Sequence, residues 1–181
     1  MLIRVREDLE LRSVAPAHAR ALDALIIADR ERLARFMPWA AGQTIQSTRE
    51  FIAAALEQEA AENGFQAVLV VDGGAIAGTV GFHRIDRANL TTSIGYWLAA
   101  PYEGRGLMTV AVEALAAHAF EVWRLHRVEL RIAPANERSR ALAARLGFTE
   151  EGVLRDAERF GDEHRDLIMH SLLAPEWRAR R

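Results

Sequence analysis

The 181-residue chain contains no cysteine. That excludes disulfides, thiolate metal sites and any route that passes an acyl group through a cysteine. Lysine is absent too, so all 23 Lys-or-Arg positions are arginine. A Walker-type phosphate lysine and a Schiff-base lysine are thereby excluded. Tyrosine is scarce, with Tyr96 and Tyr102 the only two. No apolar run approaches the roughly 18 residues that cross a bilayer. The opening residues mix Arg4, Arg6, Glu7 and Asp8, unlike a signal peptide. The expectation is a soluble, cytoplasmic protein without a membrane partner. A formal charge of −2 gives no broad attraction to nucleic acid, so none is expected as partner and any phosphate must be held locally. The six histidines form neither a His-Glu-x-x-His nor a His-x-His pair, and no metal is expected.

Half of the residues are hydrophobic, enough for a packed core, and the length suits one domain over residues 1–181. Alternation predicts a strand over Leu9–Ser13, closed by Pro16. Helical spacing runs from Ala17 to about Arg35, where Phe36-Met37-Pro38-Trp39 interrupts it. A second helical region spans Ser47–Glu62, with Ser47 or Thr48 as its cap. Phe65–Val71 and Ala75–Ile85 flank Asp72-Gly73-Gly74 as a hairpin, and Ser93–Leu98 follows as a strand. Leu107–Val122 is the clearest helix, and Arg127–Ala133 a strand alternating Val128, Leu130 and Ile132 against charge. Asn136 caps a short helix that ends at Gly147, and strands Phe148–Glu158 and His164–Leu173 complete the chain. The order implies one mixed α/β (α+β) domain of about seven strands.

The most informative stretch runs from Ile94 through Trp97 and Leu98 to Gly104-Arg105-Gly106 and then Leu107-Met108-Thr109. A strand enters a loop with two glycines, and a long helix starts at once. Unpaired N–H groups at a helix N-terminus carry the positive end of its dipole, and glycine lets a polyanion approach that backbone. Arg105 adds a charge. A pyrophosphate can be held here without lysine or metal; the plainer alternative is a turn that uses glycine only for tightness. The third glycine of a dinucleotide fingerprint and the Gly-Lys-Ser/Thr of a P-loop are both missing.

With these residues the chain resembles the GNAT superfamily of N-acetyltransferases, whose motif A places Gly-x-Gly/Ala at this junction. Gly104 and Gly106 match, whereas Pro101 departs from the Gln/Arg that opens the motif. The closer likeness is to the ribosomal-protein serine/alanine N-terminal acetyltransferases. It is carried by Arg32-Leu33 with Phe36 to Trp39, by Ile94 to Leu98, by Gly104 to Gly106, by Asn136 to Phe148, by Glu150 to Arg155, and by Ser171 to Leu173 with Glu176-Trp177. The resemblance implies the GNAT fold, a mixed, mostly antiparallel sheet whose central strands splay to admit pantetheine, flanked by helices. It implies acetyl-CoA as cosubstrate and a primary amine as acceptor, acetylated by direct attack in a ternary complex.

Asn136 and Ser139 lie three positions apart on one short helix and share a face. The resemblance makes Asn136 a contact of pantetheine and Ser139 the donor to the departing thiolate. Many superfamily members carry a tyrosine acid further along this helix; Ala143 stands there instead. For Ser139 the plainer reading is a first-turn polar residue. The resemblance points to Glu158 as the base, with Glu151 second, and a backbone N–H of the strand holding Trp97 and Leu98 meets the thioester oxygen. Partial burial is expected to raise Glu158, which otherwise reads as a solvated charge between Arg155 and Arg159. Cosubstrate contacts are assigned to Trp97, Leu98, Gly104 through Thr109, Asn136 and Ser139. Phe36, Met37 and Trp39 form either a core plug or a wall of the acceptor groove. His170 stands where the family often has tyrosine. The acceptor is a protein N-terminus or, alternatively, a small amine or aminoacyl-nucleotide; a non-catalytic CoA-binding sensor is the rival of another class. A homodimer remains open.

Overall fold

The computed structural model describes residues 1–180. In chain order the elements are β1 (Leu2–Arg6), β2 (Leu9–Ser13), α1 (Ala19–Ala28), α2 (Arg30–Ala34), α3 (Ile45–Ala60), β3 (Gln66–Val71), β4 (Ala75–Phe82), β5 (Thr91–Leu98), α4 (Leu107–Ala117), β6 (Arg127–Ile132), α5 (Glu137–Arg145), β7 (Thr149–Phe160), β8 (Glu163–Leu173) and α6 (Ala174–Ala179). The strands belong to a mixed, mostly antiparallel sheet of eight. The extra member is β1, which the sequence pattern did not count. It pairs with β2 from Leu2↔Arg12 onward. The described residues fall into two compact units, 1–83 with 95–114 and 84–94 with 115 onward, whose boundaries cut through β5 and α4.

In the first unit the strand order is β1-β2-β3-β4-β5. Val14, Leu22, Ile26, Leu33, Ile52, Val68, Val70 and Trp97 are buried in one cluster that joins α1, α2 and α3 to the sheet. The long helix expected from Ala17 is broken at Asp29, whose backbone leaves the helical region at φ −122° and ψ 18°. The next helix is capped by Thr44 rather than Ser47 or Thr48. Thr44 Oγ1 accepts from Ser47 N–H at 3.2 Å, and Ser47 Oγ accepts from Thr44 N–H at 2.9 Å. Both residues are good caps, and the reciprocal pair puts Ser47 at the third helical position. At Gly78 a Cβ would lie 2.2 Å from Trp97 O, so β4 approaches β5 at a distance only glycine allows.

In the second unit the order is β5-β6-β8-β7. The β5–β6 pairing is parallel and covers only Thr91↔Arg127 to Ser93↔Glu129, although β5 continues to Leu98 and β6 to Ile132. Val128, Leu130 and Ile132 are buried as their alternation predicts. The helix beginning at Leu107 ends in a π turn, His118–Val122, and Val122 is exposed, not core. The end of α5 is held from a distance: Arg180, just past α6, donates to Leu146 O at 2.6 Å and to Gly147 O at 2.7 Å. A guanidinium thus satisfies carbonyls that the helix leaves open.

Candidate functional site

In the first unit β5 leads through a short turn at Ala100–Tyr102 to Gly104, Arg105 and Gly106, and α4 starts at Leu107. Gly104 and Gly106 have φ of 76° and 72°, a region that side chains other than glycine enter at a cost. A Cβ at either position would meet nothing within 4 Å. Conformation, not crowding, therefore requires these glycines, and the turn presents open backbone. Leu107 and Met108 are buried, so their side chains belong to the core and not to the surface of the turn. Arg105 is already engaged. Its guanidinium donates to both oxygens of Asp72 at 3.0 Å and lies 3.9 Å from Asp8. That contact holds Asp72 below the usual carboxylate range.

Immediately before this turn sits a cluster that sequence reasoning missed. Arg32 binds the Asp29 carboxylate with two nitrogens, donates to Glu103 Oε1 at 2.7 Å and donates to Leu98 O at 2.6 Å. Asp29 Oδ2 also accepts from Ala100 N–H at 2.9 Å. Burial pushes the Asp29 carboxyl up, but hydrogen bonds from Arg32 and Ala100 outweigh it and leave the group below its ordinary value. The helix break at Asp29 thus aims a carboxylate and a guanidinium at the end of β5 and at the residue before Gly104. The Asp29–Arg32 spacing of three on a helical stretch was a legible hint; the partners beyond residue 97 were not.

Phe36, Met37 and Trp39 lie on the break after α2. Met37 packs against the buried cluster and Phe36 is half-buried. Trp39 is 43% exposed, and its ring meets the buried Trp97 ring edge-on at 6.4 Å. The segment is therefore part core plug, with one large aromatic left facing solvent beside β5. Along β5 itself the burial alternation changes phase at Gly95–Tyr96, which buries Trp97 and leaves Leu98 partly open.

In the second unit Asn136 caps α5, its Oδ1 accepting from Ser139 N–H at 3.2 Å. Its side-chain oxygen thereby has a structural duty besides any contact with a ligand. Ser139 is half-buried, and its hydroxyl makes no hydrogen bond among the described residues. Ala143 is fully buried, so nothing at that position offers a proton. On the β7–β8 hairpin Glu158 faces Arg165, which donates from Nε to Oε2 at 2.6 Å and stacks over the Phe160 ring at 4.1 Å. Oε1 of Glu158 has no partner among the described residues. Glu151 differs: Arg127 binds both its oxygens, and Ser171 Oγ donates to one at 2.7 Å. Arg127, then Ser171, hold its carboxyl at about 2. His170 is buried with Nδ1 3.3 Å from Ile168 O. Among the described residues no three metal-binding side chains come together, and no helix is long and apolar enough to cross a membrane.

Residues 8–149 fit the family described as Acetyltransferase (GNAT) domain. The chain belongs to the GNAT acetyltransferase family. This acetyltransferase is 38% identical over 176 residues to a Bacillus subtilis (strain 168) protein, YdaF, provisionally named a ribosomal N-acetyltransferase, with 96% of each chain covered. It is 30% identical over 173 residues to the ribosomal-protein-serine acetyltransferase of Escherichia coli (strain K12), covering 93% of this chain and 94% of that one. Among solved structures, the microcin C7 self-immunity acetyltransferase MccE in complex with acetyl-CoA and AMP is 31% identical, with a TM-score of 0.88 over 94% of this chain and 95% of that one. The chain is an acetyl-CoA-dependent N-acetyltransferase with the α/β GNAT fold.

Proposed function

We propose that the acetyltransferase modifies the α-amine of a protein N-terminus, that of a ribosomal protein in the first instance, by direct attack in a ternary complex, with residues 1–181 acting as one domain. The observation that carries the donor half is the pair of positive-φ glycines, whose missing side chains leave the turn ahead of α4 open to a polyanion. Likeness to a ribosomal-protein-serine acetyltransferase over 93% of the chain supports the acceptor half. In this reading the N–H groups of Gly104 to Thr109 hold the pyrophosphate, and Trp97, Leu98 and Asn136 line the pantetheine arm. Acetyl-CoA supplies an acetyl group activated as a thioester. Glu158 Oε1 takes the proton of the incoming amine, while Oε2 stays anchored on Arg165. Ser139 Oγ donates a hydrogen bond to the departing sulfur, and a backbone N–H of β5 steadies the carbonyl oxygen. Trp39, with Phe36 and Met37 behind it, forms one wall of the acceptor groove.

A second reading, acetylation of an aminoacyl-nucleotide or other small amine, is favoured by the likeness to a self-immunity acetyltransferase solved with AMP. The test is an acceptor screen by mass spectrometry, with serine- and alanine-ended peptides against small primary amines and an aminoacyl-nucleotide analogue. Preferential peptide acetylation is the expected result. Turnover of the nucleotide conjugate alone would move the function to the second reading. Binding of acetyl-CoA without turnover of any acceptor would make the chain a sensor.

A further inference from the structure

The second unit holds a polar cleft of about 400 Å3 that none of the roles above employs. Arg84, Asp86, Thr91, Ser93, Glu129 and Arg131 line it. Its floor is the short stretch over which β5 and β6 pair, and residues in register project to the same side. Thr91 and Ser93 therefore present their hydroxyls on the face that carries Glu129. Its wall is the segment after β4, tied down by Asp86 N–H to Thr91 O at 2.8 Å, Thr91 N–H to Asp86 O at 3.0 Å and Thr92 Oγ1 to Arg84 O at 3.4 Å.

The cleft holds two carboxylates and two guanidiniums, but they are not equally available. Asp86 spends Oδ1 on the N–H groups of Ala88 and Asn89, each at 3.0 Å, and Oδ2 on Asn89 Nδ2 at 2.8 Å. Glu129 Oε1 accepts from Arg127 Nε at 2.8 Å, and its Oε2 stands 3.5 Å from Arg131 Nη2. The Arg131 side chain keeps 55% of its surface exposed. Arg84's guanidinium makes no hydrogen bond among the described residues; its charge only adds to the Asn89 and Ala88 hydrogen bonds that hold the Asp86 carboxyl below its ordinary value. With the carboxylates satisfied and the guanidiniums largely unspent, the chemistry that fits is an oxyanion.

We infer that this cleft takes an oxyanion carried by the acceptor, with Arg84 and Arg131 as charged contacts and the Thr91 and Ser93 hydroxyls as neutral donors. The inference rests on the acetyl-transfer reading above and names the class of acceptor. Trp97 lies four residues beyond Ser93 on the same strand. For a peptide acceptor the oxyanion is that of an acidic residue a few positions from the amine, taken here as the fourth. The phosphoryl group of a nucleotide conjugate has the same chemistry.

The experiment compares steady-state acetylation of Ser-Ala-Ala-Glu-Ala-Gly-amide with its Gln counterpart at low ionic strength, with AMP added as a competitor. The expected result is a KM about five- to tenfold lower for the Glu peptide, the scale of one charge-assisted contact at a partly exposed site. Arg84→Gln with Arg131→Gln abolishes that preference. Loss of AMP competition in the same double variant, without a peptide preference in the wild type, assigns the oxyanion to a phosphoryl group. Equal treatment of the two peptides and no AMP competition overturns the inference, while turnover of both leaves the N-terminal reading intact. Should neither peptide turn over, calorimetric binding of each peptide and of AMP to the wild type and the double variant decides the cleft on its own.

Discussion

Two glutamates on β7 show how neighbours decide what a carboxylate can do. Glu151 is surrounded by donors on both oxygens, so the proton it would need to accept is disfavoured down to about pH 2. Its contribution is to stability. Because the folded value lies below the 4.5 of a free glutamate, the unfolded chain binds more protons between the two, and the benefit is present above about pH 4.5 and lost as the pH falls toward 2. Glu151→Gln is expected to cost about 1 kcal/mol at pH 7, a value discounted for the pair's exposure. The gap to the wild type closes between pH 4.5 and 2, as thermal melts across that range would register. Glu158 keeps one oxygen open, which suits a base. Glu158→Gln is expected to lower kcat about 100-fold, and Ser139→Ala by about tenfold, with calorimetric acetyl-CoA binding unchanged. Unaltered kcat in both would remove these residues from the chemistry.

At the scale of elements, the question is what fixes the donor turn. Arg32 reaches Asp29, Glu103 and the carbonyl of Leu98 together, and Asp29 reaches Ala100, so the α1–α2 break and the end of β5 are locked as one piece. Arg32→Lys keeps the charge but loses the planar fork. Its expected effect is a KM for acetyl-CoA raised about tenfold with kcat changed much less; a fall in kcat alone would disconnect the clamp from donor binding. The turn that this clamp supports was legible in the sequence because glycine at two positions has a local cause, a positive φ. The same holds for Asn136, a cap written into its own helix. The clamp was not legible, because its bonds join residues 71 positions apart. Strand β1 escaped notice for a different reason: Ile3 and Val5 do alternate with Arg4 and Arg6, but the run is five residues long and none of it is fully buried at the sheet edge. The cap expected at Ser47 or Thr48 lies at Thr44, because all three are good cap types and only the reciprocal Thr44–Ser47 bonds distinguish them.

For the whole molecule, donor binding and stability are linked. A ligand at a hundred times its dissociation constant adds about 2.7 kcal/mol to a fold that binds it. For a chain of this length that amounts to a rise in melting temperature of roughly 5 to 10 °C. Acetyl-CoA is expected to produce such a rise, and acetyl-pantetheine, which lacks the pyrophosphate, a clearly smaller one; equal shifts would dissociate the two-glycine turn from the donor. The GNAT assignment predicts that such a shift exists, while the turn geometry predicts which part of the ligand earns it.

Arg180 has a bearing on how the protein is handled. It grips the last carbonyls of the helix that begins at Asn136 and carries Ser139. Trypsin cutting after Arg178 would release the grip and fray that helix from its far terminus. A preparation clipped there would keep every residue assigned to the chemistry and still turn over slowly, a fault that a gel of ordinary resolution would miss and an intact-mass measurement would catch.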